Sequence, residues 1–100
     1  MRVDKKIYDK DLKESIKERV AGKVDVQLGK NGLSEGFINE VKNRLDKHGV
    51  VKIRILKSFR RAYTDDIESI AKTIADLTNS RVYETRGYTI ILYRIQREKI

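Results

Sequence analysis

A chain of 100 residues without proline, cysteine or tryptophan is long enough for one buried core and too short for two, so a single domain over residues 1–100 is expected. With no cysteine and one histidine, a disulfide framework and a zinc site are excluded. Lysine and arginine number 23 against 15 aspartate and glutamate, a formal net charge of +8, which points to a polyanionic partner such as nucleic acid. No apolar run reaches the length of a membrane span, and the start Met-Arg-Val-Asp-Lys-Lys is not that of a signal peptide. No membrane association is expected, and a cytoplasmic location is.

Residues 7–20 read as an amphipathic helix, because Tyr8, Leu12, Ile16 and Val20 recur at every fourth position. Lys6, Lys10, Lys13, Lys17 and Arg19 surround that stripe, interleaved with Asp9, Asp11, Glu14 and Glu18, so this basic surface is expected to be a solvated, internally paired face. Gly22 ends the helix. Residues 23–28 alternate strictly, Val24, Val26 and Leu28 against Lys23, Asp25 and Gln27, the pattern of a half-buried strand.

Gly29-Lys30-Asn31-Gly32 follows as a tight strand-to-helix turn with a basic tip. The glycines allow positive φ and close approach of another molecule, and the helix that follows directs N–H groups and the positive end of its dipole at the same corner. Such a corner suits phosphate. Lys30 adds a mobile charge, and Asn31 an amide and tolerance of a left-handed turn position. The same residues would also make an ordinary turn with no ligand. Leu33, Phe37, Ile38, Val41 and Leu45 then form the stripe of a second helix, with Ser34 as N-cap, Gly49 as stop and His48 at its end.

Residues 50–56 form a second strand, with Val51, Ile53 and Ile55 facing one way and Lys52 and Arg54 the other. Lys57, Arg60 and Arg61 crowd the following loop around Phe59, where the cations can grip phosphates while the ring either stacks on a base or covers the core edge. Asp65 and Glu68 have capping-box spacing at the head of a third helix carrying Ile67, Ile70, Ala71, Ile74 and Leu77, and Asn79-Ser80 closes it. Residues 81–85 and 88–95 are two strands joined at Arg86-Gly87, an antiparallel hairpin.

The order is an N-terminal helix (1–22) and a βαβαββ core (23–95). Successive βα units imply parallel pairing and the hairpin makes the sheet mixed, so the fold class is α+β with a mixed four-stranded sheet. Strands with one apolar face predict a two-layer α/β sandwich, helices on one side and an open face bearing Lys52 and Arg54. No catalytic set and no nucleotide-binding Gly-rich run is present. Glu35, Glu40, Asp46 and Glu84 leave a small magnesium-dependent nuclease as one alternative, and a basic chromatin-type protein coating DNA or RNA as a dimer as another.

The run Leu28-Gly29-Lys30-Asn31-Gly32-Leu33-Ser34-Glu35-Gly36, then Lys47-His48-Gly49-Val50-Val51-Lys52-Ile53-Arg54, then Gly87 with Leu92-Tyr93-Arg94, resembles the chloroplast RNA splicing and ribosome maturation (CRM) domain, including its bacterial YhbY-like stand-alone members. The resemblance spans about residues 20–94 and departs in the N-terminal helix. It implies an RNA-binding domain akin in fold to the C-terminal domain of a bacterial translation initiation factor, with a GxxG loop like that of KH domains. For stand-alone bacterial members it implies association with large-subunit precursors, and for plant members with intron RNA. By this resemblance Gly29, Lys30, Asn31 and Gly32 match the family's loop, and Lys52 and Arg54 its basic strand. The resulting expectation is a monomeric, non-enzymatic protein with no cofactor and no small-molecule substrate. It would bind structured ribosomal RNA or its precursor during ribosome assembly through those six residues with Lys57, Arg60 and Arg61.

Overall fold

The computed structural model describes residues 10–62 and 66–94. Capping residues set the limits of its two central helices. Ser34 accepts the Phe37 N–H at 3.1 Å to open α2 (Glu35–His48), and Gly49 closes it in the left-handed conformation at φ 77°. Asp66 accepts the Ser69 N–H at 2.8 Å to open α4 (Ile67–Thr78), and Asn79 closes it at φ 55°. Each N-cap bond satisfies a donor that the helix leaves unpaired and stabilises it by about 1 kcal/mol. The cap is thus one residue later than the expected Asp65. Residues 7–9, Thr64 and Asp65, and the strand end at Ile95 lie outside the described residues.

The other elements are α1 (Lys10–Ala21), β1 (Val26–Leu28), β2 (Val50–Ile55), α3 (Lys57–Ala62), β3 (Arg81–Arg86) and β4 (Thr89–Tyr93). The strands form one sheet in the order β1-β2-β4-β3. β1 runs parallel to β2, with Val26 opposite Ile53 and Leu28 opposite Ile55. β4 runs antiparallel to both β2 and β3. The α+β class, the mixed sheet and the closing hairpin are as expected. An irregularity between Val82 and Glu84 interrupts the edge strand β3 and turns Tyr83 edge-on against Tyr93, centroids 6.2 Å apart.

The core lies on both faces of the sheet. Val26, Leu28, Val51, Ile53, Ile55, Ile90 and Leu92 pack with Val41 and Leu45 of α2 and with Ile70, Ala71, Ile74 and Ala75 of α4. On the opposite face, Val50, Ile91 and Tyr93 receive Leu12 and Ile16 of α1. Covering from one side therefore describes α2 and α4, while α1 lies on the second face. The reason is in β4, where Ile90, Ile91, Leu92 and Tyr93 are all buried, so this strand offers an apolar surface in both directions. Burying a leucine or isoleucine stabilises by about 1.5–3 kcal/mol, enough for Leu12 and Ile16 to hold a short helix.

Two expected stripe residues, Val20 and Leu77, are exposed. Their places are taken by Arg19 and Thr78, both buried. Thr78 satisfies its hydroxyl on the Ile74 carbonyl at 2.8 Å.

Candidate nucleic-acid interface

The GKNG turn is closed by the Gly32 N–H donating to the Gly29 carbonyl at 2.9 Å. Only one of its residues needs to be glycine for the fold. Gly32 has φ 67°, whereas Asn79 is the one non-glycine with positive φ among the described residues, so Asn31 does not take the left-handed form. At Gly29 an added Cβ would meet Leu56 Cδ1 at 3.4 Å and Ser58 Oγ at 3.5 Å, ordinary van der Waals contact. Lys30 and Asn31 are both exposed.

Parallel pairing brings the turn beside the end of β2, where the Leu56 N–H donates to the Leu28 carbonyl at 2.9 Å. The segment after β2 is a short helix, α3, rather than a loop. Its Phe59 is 1% exposed and packs into the main core, so of the two roles open to that ring, covering the core is the one it takes. Burying Phe59 turns Lys57 and Arg61 outward, and both are exposed. Arg60 lies with its guanidinium carbon 3.7 Å from the centroid of the Tyr88 ring. Tyr88 and Gly87 form the two-residue loop between β3 and β4, and the Tyr88 carbonyl accepts the Ile55 N–H at 2.8 Å.

Arg54 is exposed on β2, flanked in the sheet by Gln27 and Thr89. Arg86 sits opposite Thr89. One end of the sheet therefore gathers the GKNG turn, Arg54, Lys57, Arg60 and Arg61, together with Arg86 and Tyr88. The last two were missed in the sequence, where Arg86 read only as part of a hairpin link and Tyr88 as the first residue of a strand, and nothing in their local pattern marks them. Among the described residues, none of Lys30, Arg54, Lys57 and Arg61 is in an ion pair, so their field is not neutralised locally. Arg86 stands 3.9 Å from Glu84.

Lys52 is separate from this group. Its ammonium donates to the Arg19 carbonyl at 2.9 Å, in the last turn of α1. The Arg19 guanidinium, expected in solvent, is buried against Asp25, with Nε to Oδ2 at 3.0 Å and Nη2 to Oδ1 at 2.9 Å. The same carboxylate accepts the Lys52 N–H at 2.8 Å. That donor would pair with a backbone carbonyl in a longer strand, which accounts for β1 starting at Val26 rather than residue 23. Burial raises the pKa of Asp25, but the Arg19 and Lys52 hydrogen bonds and the Arg19 charge outweigh it, leaving the carboxyl below its usual 3.8. Burial, with the cations Arg19 and Lys47 nearby, holds His48 below 6.5.

The acidic residues do not converge. Glu40 stands 3.7 Å from Arg44, Asp46 pairs with Arg94, and no cluster of three potential metal ligands occurs among the described residues.

A model of the CRS1/YhbY (CRM) domain matches residues 7–94. The chain belongs to this family. The matched span includes α1, further than the motif resemblance reached. A Haemophilus influenzae protein named an RNA-binding protein is 32% identical over 73 residues, 73% of this chain and 70% of that one. Bacillus subtilis YqeI, named a probable RNA-binding protein, is 25% identical over 72% of this chain and 71% of its own. In fold, the solution structure of a hypothetical Staphylococcus aureus protein, described as a candidate RNA binder, superposes with a TM-score of 0.65 at 23% identity, covering 91% of each chain. Within this CRM domain the Leu92-Tyr93-Arg94 motif is structural. Leu92 and Tyr93 fill opposite cores, while Arg94 joins the ends of α2 and α4 through Asp46, the Thr78 carbonyl and, at 3.2 Å, the Asn79 carbonyl.

Proposed function

We propose that this CRM domain binds RNA, without catalysis, at the end of the sheet where the GKNG turn, α3 and the β3–β4 loop meet. Its RNA is structured ribosomal RNA or a precursor, engaged by a monomer in the cytoplasm during subunit assembly. The observation that carries this reading is the gathering of exposed Lys30, Arg54, Lys57 and Arg61 around one turn with no ion-pair partner among the described residues. The names of the Haemophilus and Bacillus relatives agree with it. In this arrangement Gly29, Lys30, Asn31 and Gly32 cradle the RNA backbone and Arg54, Lys57, Arg60 and Arg61 extend the phosphate track, while Lys52, bonded to the Arg19 carbonyl under α1, stands outside it.

With about four to six phosphate contacts, the slope of log affinity against log salt is expected near −3 to −5. Titration of structured RNA and of duplex DNA of equal length over a salt series, with and without magnesium chelation, tests the reading. Tighter binding to DNA would indicate a chromatin-type coating protein, and magnesium-dependent cleavage of RNA a nuclease. Crosslinking in the cells of origin, with sequencing of the bound nucleic acid, should recover ribosomal RNA at discrete sites.

A further inference from the structure

Tyr88 is the most exposed large apolar side chain among the described residues, at 51%. It belongs to neither core cluster, and what the fold takes from residue 88 is its backbone carbonyl, the acceptor for Ile55. A two-residue hairpin loop has no steric need for an aromatic ring. Yet the ring is not loose, because the Arg60 guanidinium lies over it at 3.7 Å, close enough for a cation–π contact. Arg60 holds this position with its Nε buried and without a hydrogen-bond partner, a geometry that favours the ring contact over the hydrogen bonds an arginine ordinarily makes. The result is a flat surface, fixed from one side by a cation and half open to solvent, at the same end of the sheet as Arg54 and the GKNG turn.

We infer that Tyr88, backed by Arg60, is a stacking platform for a single unpaired base, so that the RNA held at this end presents an unpaired nucleotide beside its phosphate track. The inference rests on the RNA reading above and deepens it, because cations alone follow a backbone without distinguishing paired from unpaired nucleotides. An aromatic face among cations is the means by which proteins hold single-stranded bases, since every base offers a π-face and a base inside a continuous duplex does not expose it. The guanidinium draws ring electron density towards itself, which favours an electron-rich base on the opposite face. Stacking through the ring requires no hydroxyl, so phenylalanine at this position should serve.

The test uses the full chain and two RNAs of equal nucleotide count, one a continuous duplex and one with a single-nucleotide bulge carrying 2-aminopurine. Tyr88→Ala should weaken binding of the bulged RNA by about 5- to 150-fold, the range for loss of one base–aromatic stack, and change duplex binding less than about twofold. Quenching of the 2-aminopurine fluorescence on binding should disappear in Tyr88→Ala and persist in Tyr88→Phe. Thermal melts followed by circular dichroism establish that both variants are folded. Undiminished binding and quenching in Tyr88→Ala would overturn the platform while leaving the RNA reading standing, as would equal loss on both RNAs or a phenylalanine variant as weak as alanine. Failure of the wild type to bind either RNA would remove the RNA reading and the platform with it.

Discussion

Lys52 and Arg54 stand two residues apart on the same face of β2, and their surroundings give them different work. The Lys52 ammonium lies beneath the last turn of α1, bonded to the Arg19 carbonyl at 2.9 Å, at the negative end of the helix dipole. Arg54 lies beyond the reach of α1, open to solvent between Gln27 and Thr89. What separates them is the buried pair of Arg19 and Asp25, which fixes where α1 ends over the sheet. A net charge of +8 is therefore not a measure of binding surface. Arg19, Lys52 and Arg94 hold helices in place, whereas Lys30, Arg54, Lys57 and Arg61 are in no ion pair among the described residues.

The largest effect should come from breaking the pair that separates the two sites. Asp25→Ala removes the buried carboxylate that meets two nitrogens of the Arg19 guanidinium and leaves that buried cation only the exposed Glu18 and the Ser15 carbonyl, a loss of about 3–5 kcal/mol, read as a lower midpoint in urea unfolding. The same group makes the fold acid-sensitive. Because the folded pKa of Asp25 lies below 3.8, its stabilisation is complete above about pH 5 and is lost as pH falls through 3.8 towards the folded value. Asp66, also lowered by its bond to the Ser69 N–H, acts in the same direction. Melting temperature followed from pH 7 to pH 2 should fall less steeply in Asp25→Ala than in the wild type, and a parallel fall would deny Asp25 this role.

A paired substitution on β2 sharpens the comparison with smaller changes. Lys52→Ala removes the charged hydrogen bond under α1 and should cost about 1–2 kcal/mol of stability, while RNA affinity measured on the folded protein changes little. Arg54→Ala should leave stability within about 0.5 kcal/mol and lower the magnitude of the salt slope for RNA by about one. Both quantities are needed for both variants. If Lys52→Ala shows the larger drop in salt slope, the basic strand binds along its whole length.

The two glycines of the turn should separate in the same way. Gly32→Ala forces a Cβ into φ 67° and should cost about 1–2 kcal/mol. Gly29→Ala meets only ordinary contacts, so its melting temperature should stay near wild type while RNA binding weakens as the added methyl holds the phosphate off the backbone. Unchanged RNA affinity in folded Gly29→Ala would mean that the turn is approached from its Lys30 side alone.

Much of the architecture was legible in the chain because it depends on near neighbours. The stops at Gly49 and Asn79, the cap at Ser34 and the alternation of Val51, Ile53 and Ile55 all express backbone geometry over a few residues. The strand before the turn was legible only in its second half, since Asp25 looks like an outward-facing polar residue until its partners are known. At the end of the sheet proposed to bind RNA, the tight turn and the outward direction of Arg54 could be read directly. Phe59 could not be assigned to core or ligand, and Arg86 and Tyr88 carried no signal at all.

The fold class, the order of every element except α3, the capped ends of α2, the tight basic turn and the family motifs were all written in the chain, because periodicity, capping and turn chemistry act within about four residues along it. Which cations are held and which are open depends instead on how the chain folds back on itself. That outcome rests on hydrogen bonds between residues far apart in sequence, Lys52 with Arg19 across 33 positions, Lys52 with Asp25 across 27 and Arg94 with Asp46 across 48. A charge has no periodicity that announces its partner, and the free energy of placing it depends on burial and on the groups that meet it in space.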